Sequence, residues 1–142
     1  MDSSVLARAY LQDEFGHEAA RALVEGSAFL VTSTLTLVDV TSALFRATHA
    51  GRVADVDTSL AKLDDETAPD GPITLIRADQ LTAETVARQL VREHTLRALD
   101  ALHLAVAELS ARPLAGDGEE VAFASRDDAQ RAAAVALGFV AV

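Results

Sequence analysis

Asp100 is the residue of this 142-residue chain whose surroundings most need a chemical explanation. It is the only acidic residue in the segment 96–107, where leucine and alanine recur at helical spacing. Burying an ionised carboxylate without a partner is costly or raises its pKa, so Asp100 needs a cation, a metal ion or contact with water. Contact with water at the edge of the apolar face explains this helix equally well when it is considered alone.

Three other aspartates lie close to predicted β-strands or at the start of a helix. Asp2 precedes the first helix, Asp39 lies early in the helix after AFLVTS, and Asp127 follows VAFAS with one residue between them. Each also has a structural explanation. Asp2 and Asp127 are of a type that caps helix N-termini, and on a helical wheel Asp39 points to a solvated face near Arg46. Spacing alone leaves both explanations open.

A divalent metal site is the chemistry that these carboxylates would support if they converged. Two carboxylates ~4 Å apart repel by ~4 kcal/mol at an effective dielectric constant of ~20, so converging acids require cations. The chain has no cysteine, and oxygen ligands select hard ions such as Mg²⁺. Such an ion can lower the pKa of a bound water and make it a nucleophile. We interpret the nearby His103 as a packed structural histidine rather than a base.

The charge of the chain restricts its partners. A formal net charge of −10 repels nucleic acid at long range and attracts cations or basic proteins. This argues against a simple nucleic-acid binder but not against an enzyme whose bound metal ions reverse the local charge. The absence of cysteine fits the reducing cytoplasm, and no apolar run reaches the ~20 residues of a membrane span.

Short apolar runs alternate with amphipathic segments along the chain. The predicted strands cover residues 28–33, 73–76, 121–125 and 139–142, and the predicted helices cover 5–15, 17–26, 36–49, 53–65, 79–94, 96–110 and 125–138. This alternation predicts an α/β fold, a three-layer α/β/α domain with a central parallel sheet, as a single domain over 1–142. In such a sheet, a site is expected beyond the C-terminal ends of the strands.

Four segments resemble the acidic blocks of the PIN-domain family, in the family's order and over nearly the whole chain. They are MDSSVLARAYL, TLVDVTSALFRA, LRALDALHLAVA and FASRDDAQRAAAVALGF. The resemblance places the four catalytic acids of the family on Asp2, Asp39, Asp100 and Asp127. It implies a PIN-like fold in which Asp2, Asp100 and Asp127 are metal ligands and Asp39 is a ligand or acts through a water.

Small proteins with this layout are similar to VapC-type ribonuclease toxins. The resemblance implies a Mg²⁺- or Mn²⁺-dependent ribonuclease that is inhibited by a small cognate antitoxin protein and is usually a homodimer. Ser4 and Ser125 match hydroxyl positions that orient the acids or hold water in the family. Arg97 and Arg126 flank the acids and are candidate phosphate contacts, with plain solvent exposure as the alternative. We expect the helix over 53–63 to offer an apolar face for dimerisation.

Two features depart from the family pattern. Asp39 stands where the family generally has Glu, and its shorter side chain favours an indirect contact to the metal. The first family acid normally ends a β-strand, whereas Met1 alone precedes Asp2, so we expect either a curtailed central strand or a start further upstream. These departures support a second hypothesis, a PIN-like binding module with a degraded active site that acts through protein association.

Overall fold

Helices and short strands alternate through the computed structural model, which describes residues Met1 to Val142. The helices are α1 (Ser3–Leu6), α2 (His17–Glu25), α3 (Thr34–His49), α4 (Val56–Glu66), α5 (Gln80–His94), α6 (Ala98–Val106) and α7 (Asp128–Ala136). The strands are β1 (Leu30–Ser33), β2 (Ile73–Ile76), β3 (Ala122–Phe123) and β4 (Val140–Ala141). The predicted α/β class, with parallel strands, is confirmed.

Two units of the chain are described separately. The N-terminal unit contains Met1 and residues 3–75, and the C-terminal unit contains Asp2 and residues 76–142. The assignment of residues 1–142 to a single domain stays a prediction. No helix is both long enough and apolar enough to cross a membrane.

The start of the N-terminal unit differs from the continuous helix predicted over 5–15. Helix α1 ends at Leu6 and is followed by a 3₁₀ turn, Ala7–Ala9, in which the Tyr10 amide donates to the Ala7 carbonyl at 3.1 Å. The Arg8 guanidinium donates to the carbonyls of Ser4 and Phe15, and these bonds hold the chain in a turn before α2. Side-chain bonds to nearby carbonyls thus stabilise a turn where the apolar spacing alone predicts a continuous helix.

The junction of β1 and α3 is fixed by hydroxyl groups. Thr32 is buried, and its hydroxyl donates to the Met1 carbonyl at 2.7 Å and lies 2.8 Å from the Thr36 hydroxyl. The Met1 amino group donates to the Val31 carbonyl at 2.9 Å. From this junction α3 buries Val40 and Leu44.

A partly buried polar cluster links α2 to the end of α4. The Arg21 guanidinium donates to both carboxylate oxygens of Glu66, at 2.8 and 3.0 Å, and the Tyr10 hydroxyl donates to the same carboxylate at 2.6 Å. Burial and the Glu66 contact raise the pKa of Tyr10 far above its usual range. Burial opposes ionisation of Glu66, but the bonds from Arg21 and Tyr10 outweigh it and lower the Glu66 pKa. The three charged or polar groups thus stabilise one another.

Helix α4 does not have the apolar face that we expect over 53–63. Leu63 is buried, while Val53, Val56 and Leu60 are half-buried. The large exposed apolar side chains of the N-terminal unit lie elsewhere, for example Phe15. The surface of α4 therefore offers no exposed apolar patch to a second copy of the chain.

In the C-terminal unit, α5, α6 and α7 pack around small residues. Ala101, Leu104 and Ala105 of α6 are fully buried, as are Ala133 and Ala134 of α7. Alanine at these positions allows close approach of the helices. The regular α-helix is shorter than the predicted 96–110, because a π-helical segment covers Ala107–Ala111.

The strands form two hydrogen-bonded pairs, β1 with β2 and β3 with β4. Strands β3 and β4 run parallel, with Ala122 opposite Val140 and Phe123 opposite Ala141. Both are shorter than predicted, although the Ser125 amide still donates to the Val142 carbonyl at 3.2 Å. The pairing therefore continues to the residue that begins the loop before α7.

Candidate active site

Asp2 is a buried carboxylate held by the C-terminal unit. Its side chain is almost fully buried, and its backbone amide donates to the carbonyl of Ala124, directly after β3, at 2.9 Å. His103 is also buried, and its Nε2 atom lies 4.0 Å from Asp2 Oδ1. Asp2 is therefore not an exposed helix cap. The histidine packs against it, in agreement with a structural role for the imidazole.

Asp100 lies in the first turn of α6 and is half-buried. Burial raises its pKa above the usual aspartate range, and the negative charges of Asp2 and Asp127 raise it further. The positive charge of Arg97 and the His103 imidazole partly oppose this rise. Because the pKa of Asp100 responds to the charges of Asp2 and Asp127, its carboxyl lies within electrostatic reach of both.

Asp127 has the structural role that its sequence position suggests. It is the N-cap of α7, and its Oδ1 atom accepts a hydrogen bond from the Gln130 amide at 2.8 Å. Its own amide donates to the Ser125 hydroxyl at 3.0 Å. One carboxylate oxygen is thus occupied by the cap. The cap does not exclude a further role, because Asp127 also acts on the pKa of Asp100.

The C-terminal unit therefore brings together three of the four predicted acids, which we call the carboxylate cluster (Asp2, Asp100 and Asp127). In the positions that the side chains adopt, no three histidine, aspartate or glutamate residues are close enough to hold a metal ion. The donor set nevertheless has the chemistry of a site for a hard divalent ion, because it offers only carboxylate oxygens whose mutual repulsion a cation would relieve.

The fourth acid, Asp39, lies in the N-terminal unit together with Ser4. Both line a cavity of about 300 Å³, whose wall also includes Arg8 and Arg46. Asp39 is half-buried and shares this open cavity with Arg46, the residue near which the helical wheel places it. The second family acid thus lies in an open cavity beside a hydroxyl residue. The role that the resemblance assigns to Ser4 stays a prediction.

A comparison with protein families decides the classification. Residues 1–135 match the PIN-domain family. The chain belongs to the PIN-domain family. No curated protein matches this sequence significantly. PIN domains are generally metal-dependent nucleases, so family membership supports a nuclease function for this chain.

Two arginines of the PIN domain flank the carboxylate cluster in sequence. Arg97 precedes α6 and is exposed, and its charge acts on Asp100. Arg126 is exposed between Ser125 and Asp127. A guanidinium in either position could contact a phosphate that approaches the carboxylates. This role stays a prediction.

Gln130 is the residue of the site that sequence reasoning missed. Its side chain is fully buried on α7, where it contacts two members of the cluster. In sequence it lies in an alanine-rich helix and resembles a surface amide. The signal that could have found it is its spacing, because Ala133 and Ala134 follow it at the helical intervals that define the buried face.

Proposed function

We propose that this PIN domain is a Mg²⁺- or Mn²⁺-dependent endoribonuclease. The observation that carries the proposal is that one buried residue, Gln130, bonds to the three chain segments that carry Asp2, Asp100 and Asp127. Burial and the charges of Asp2 and Asp127 also raise the pKa of Asp100. A carboxyl whose ionised form is destabilised by neighbouring carboxylates is typical of a site that works with a bound cation. Membership of a family of metal-dependent nucleases agrees with this chemistry.

Asp2, Asp100 and Asp127 are the residues that would hold the ion, with Asp39 as a ligand or water-mediated partner. When bound, a divalent ion supplies positive charge to the reacting phosphodiester and activates water. The chain's own residues position the carboxylates: the Ala124 carbonyl fixes the Asp2 backbone, and the Ser125 hydroxyl fixes that of Asp127. Burial of Asp2 and Ser125 keeps bulk water from these groups.

We expect the protein to contact the phosphates of RNA through a few nearby arginines, because its overall charge does not attract RNA at long range. The net charge of −10 opposes the approach of RNA. Arg97 and Arg126 provide positive charge beside the acids, and we assign to them the contacts with the phosphates next to the cleaved bond. Cleavage should therefore depend strongly on ionic strength and on divalent ions.

As a biological role we propose the toxin of a VapBC-type pair, acting as a homodimer in the cytoplasm. The antitoxin partner would be a small protein with a basic segment. An arginine from this segment would lie beside the acids and replace the charge of the metal ion. The chain's strongly negative charge favours such a partner.

A cleavage assay tests the proposed function. Purified protein, freed of any antitoxin, is incubated with structured RNA in Mg²⁺, in Mn²⁺ and in EDTA. We expect discrete cuts in the two metal ions and none in EDTA. RNA that stays intact under all three conditions, with a protein that folds and binds a partner, would instead support the binding module.

Substitutions of Asp127 separate its cap from its charge. Asparagine caps helices about as well as aspartate, so Asp127→Asn should leave the unfolding free energy of metal-free protein nearly unchanged, whereas Asp127→Ala should lower it by about 1 kcal/mol. Both variants should lose metal-dependent cleavage. Urea denaturation in EDTA and the cleavage assay measure the two effects. If Asp127→Asn cleaves RNA at the wild-type rate, Asp127 acts only as the N-cap of α7 and not in cleavage.

A further inference from the structure

The amide of Gln130 is a fully buried polar group next to the carboxylate cluster. It has no exposed surface and lies on the face of α7 that also buries Ala133 and Ala134. An amide in such surroundings is stable only when its donors and acceptor are hydrogen-bonded. An apolar side chain of similar volume would fill the same space without this requirement. The partners of the amide therefore indicate what it does.

The amide group has a defined orientation. The Ser125 hydroxyl accepts a hydrogen bond from the Asp127 amide at 3.0 Å and donates its only proton to Gln130 Oε1. With Oε1 committed to Ser125, the NH₂ group must face the other way. Gln130 Nε2 donates to the Asp100 carbonyl at 2.9 Å and lies 3.5 Å from Asp2 Oδ1.

Gln130 thus touches each of the three chain segments that supply the cluster. Its side chain bonds to the Asp2 carboxylate and to the α6 backbone at Asp100, and its backbone amide bonds to the Asp127 carboxylate. Asp2 and Gln130 are separated by 128 residues in sequence. Gln130 Nε2 is shared between Asp2 Oδ1 and the main-chain carbonyl oxygen of Asp100, so it restricts the distance between these two oxygens.

We infer that Gln130 is a positioning residue, which anchors the chain segments that carry Asp2, Asp100 and Asp127, so that their carboxylates can close on a divalent ion. This inference rests on the proposed function. Gln130 does not bind the metal or the RNA itself but acts through the carboxylates. Outer residues that orient metal ligands typically contribute 10- to 100-fold to metal affinity.

Binding of Mn²⁺ to the variant Gln130→Met tests the inference. Methionine has a similar length and no hydrogen-bonding amide. Calorimetric titration, well below the melting temperature of each protein, should give a Mn²⁺ dissociation constant about ten-fold higher for Gln130→Met than for the wild type. The matched control is Gln89→Met, because Gln89 is exposed on α5 and donates only to Glu93 at 2.9 Å. The control should bind Mn²⁺ as the wild type does.

If Gln130 has only a structural role, Gln130→Met will be less stable than the wild type and will bind Mn²⁺ with the same affinity. This result would overturn the inference about Gln130 but not the proposed function. Failure of the wild-type protein to bind Mn²⁺ contradicts the proposed function and the inference together. Should Gln130→Met fail to fold, the side-chain NMR resonances of the wild type supply the answer. Those of the Gln130 amide should shift on addition of Mg²⁺ and those of Gln89 should not; equal responses overturn the inference.

Discussion

Replacement of Asp100 by asparagine is expected to lower Mg²⁺-dependent RNA cleavage by at least about 100-fold, because loss of a ligand should exceed the 10- to 100-fold effect of an outer residue. Asparagine keeps the shape of the side chain and removes its charge. The charge matters because Asp100 shares its surroundings with the carboxylates of Asp2 and Asp127. Initial cleavage rates at saturating Mg²⁺ measure the effect.

Asp128→Asn is the matched control for this substitution. Asp128 carries the same charge next to Asp127, but its side chain is exposed and pairs with Arg131 on the surface of α7. Its replacement should change the cleavage rate little, since exposed ion pairs contribute at most about 1 kcal/mol. If Asp100→Asn and Asp128→Asn cleave RNA at the same rate as the wild type, Asp100 is not part of the reaction centre.

The same substitution should have opposite effects on stability with and without metal. Without a divalent ion, Asp100→Asn should be more stable than the wild type by about 1 kcal/mol, after allowance for the solvent that screens a half-buried carboxylate. With Mg²⁺ at ~100 times its dissociation constant, the wild type should gain ~2.7 kcal/mol, and the variant should lose most of this gain.

The pH dependence of the metal-free proteins follows from the direction of the Asp100 pKa shift. Burial and neighbouring charges raise the pKa in the folded state, so the folded protein holds this proton more tightly than the unfolded chain. Below the unfolded aspartate pKa of about 3.9, the carboxyl is protonated in both states and costs nothing. As the pH rises through the folded pKa, the wild type loses stability relative to Asp100→Asn.

Thermal melts in EDTA and in Mg²⁺, at pH 3.5 and at pH 7, check both parts of this prediction. The advantage of Asp100→Asn should be present at pH 7 and absent at the lower pH. Equal metal-induced shifts in the two proteins would mean that Asp100 contributes nothing to metal binding. A variant that is less stable than the wild type in EDTA at pH 7 would indicate a structural carboxylate instead.

The order of the acidic blocks in the sequence predicted the PIN-domain family, but not the surroundings of each acid. The helical wheel placed Asp39 near Arg46, and the structure adds that both line an open cavity with Ser4. Periodicity assigns a residue to one side of a helix, and what covers that side depends on tertiary packing. The sequence left two alternatives for Asp127, a helix cap or a partner of the other acids. In the structure its carboxylate caps α7 and its charge also acts on Asp100.

Features set by side-chain hydrogen bonds could not be predicted from periodicity. The first helix breaks after Leu6, where the Arg8 side chain bonds to carbonyls on both sides of the turn. Gln130 resembles a surface residue in its own helix, and its role depends on Asp2, at the other end of the chain. Both residues have long polar side chains that reach beyond their own elements, which propensity and periodicity do not describe.

The central claim is that a divalent ion binds at Asp2, Asp100 and Asp127, and paramagnetic broadening by Mn²⁺ tests it most directly. A chain of net charge −10 offers other acidic surfaces, among them the exposed loop with Asp117, Glu119 and Glu120, so the location of the ion is decisive. At low Mn²⁺ concentration, the backbone amide signals of the three aspartates should broaden first and those of residues 117–120 should stay sharp. Broadening centred on residues 117–120, with the three aspartates unaffected, would contradict the account.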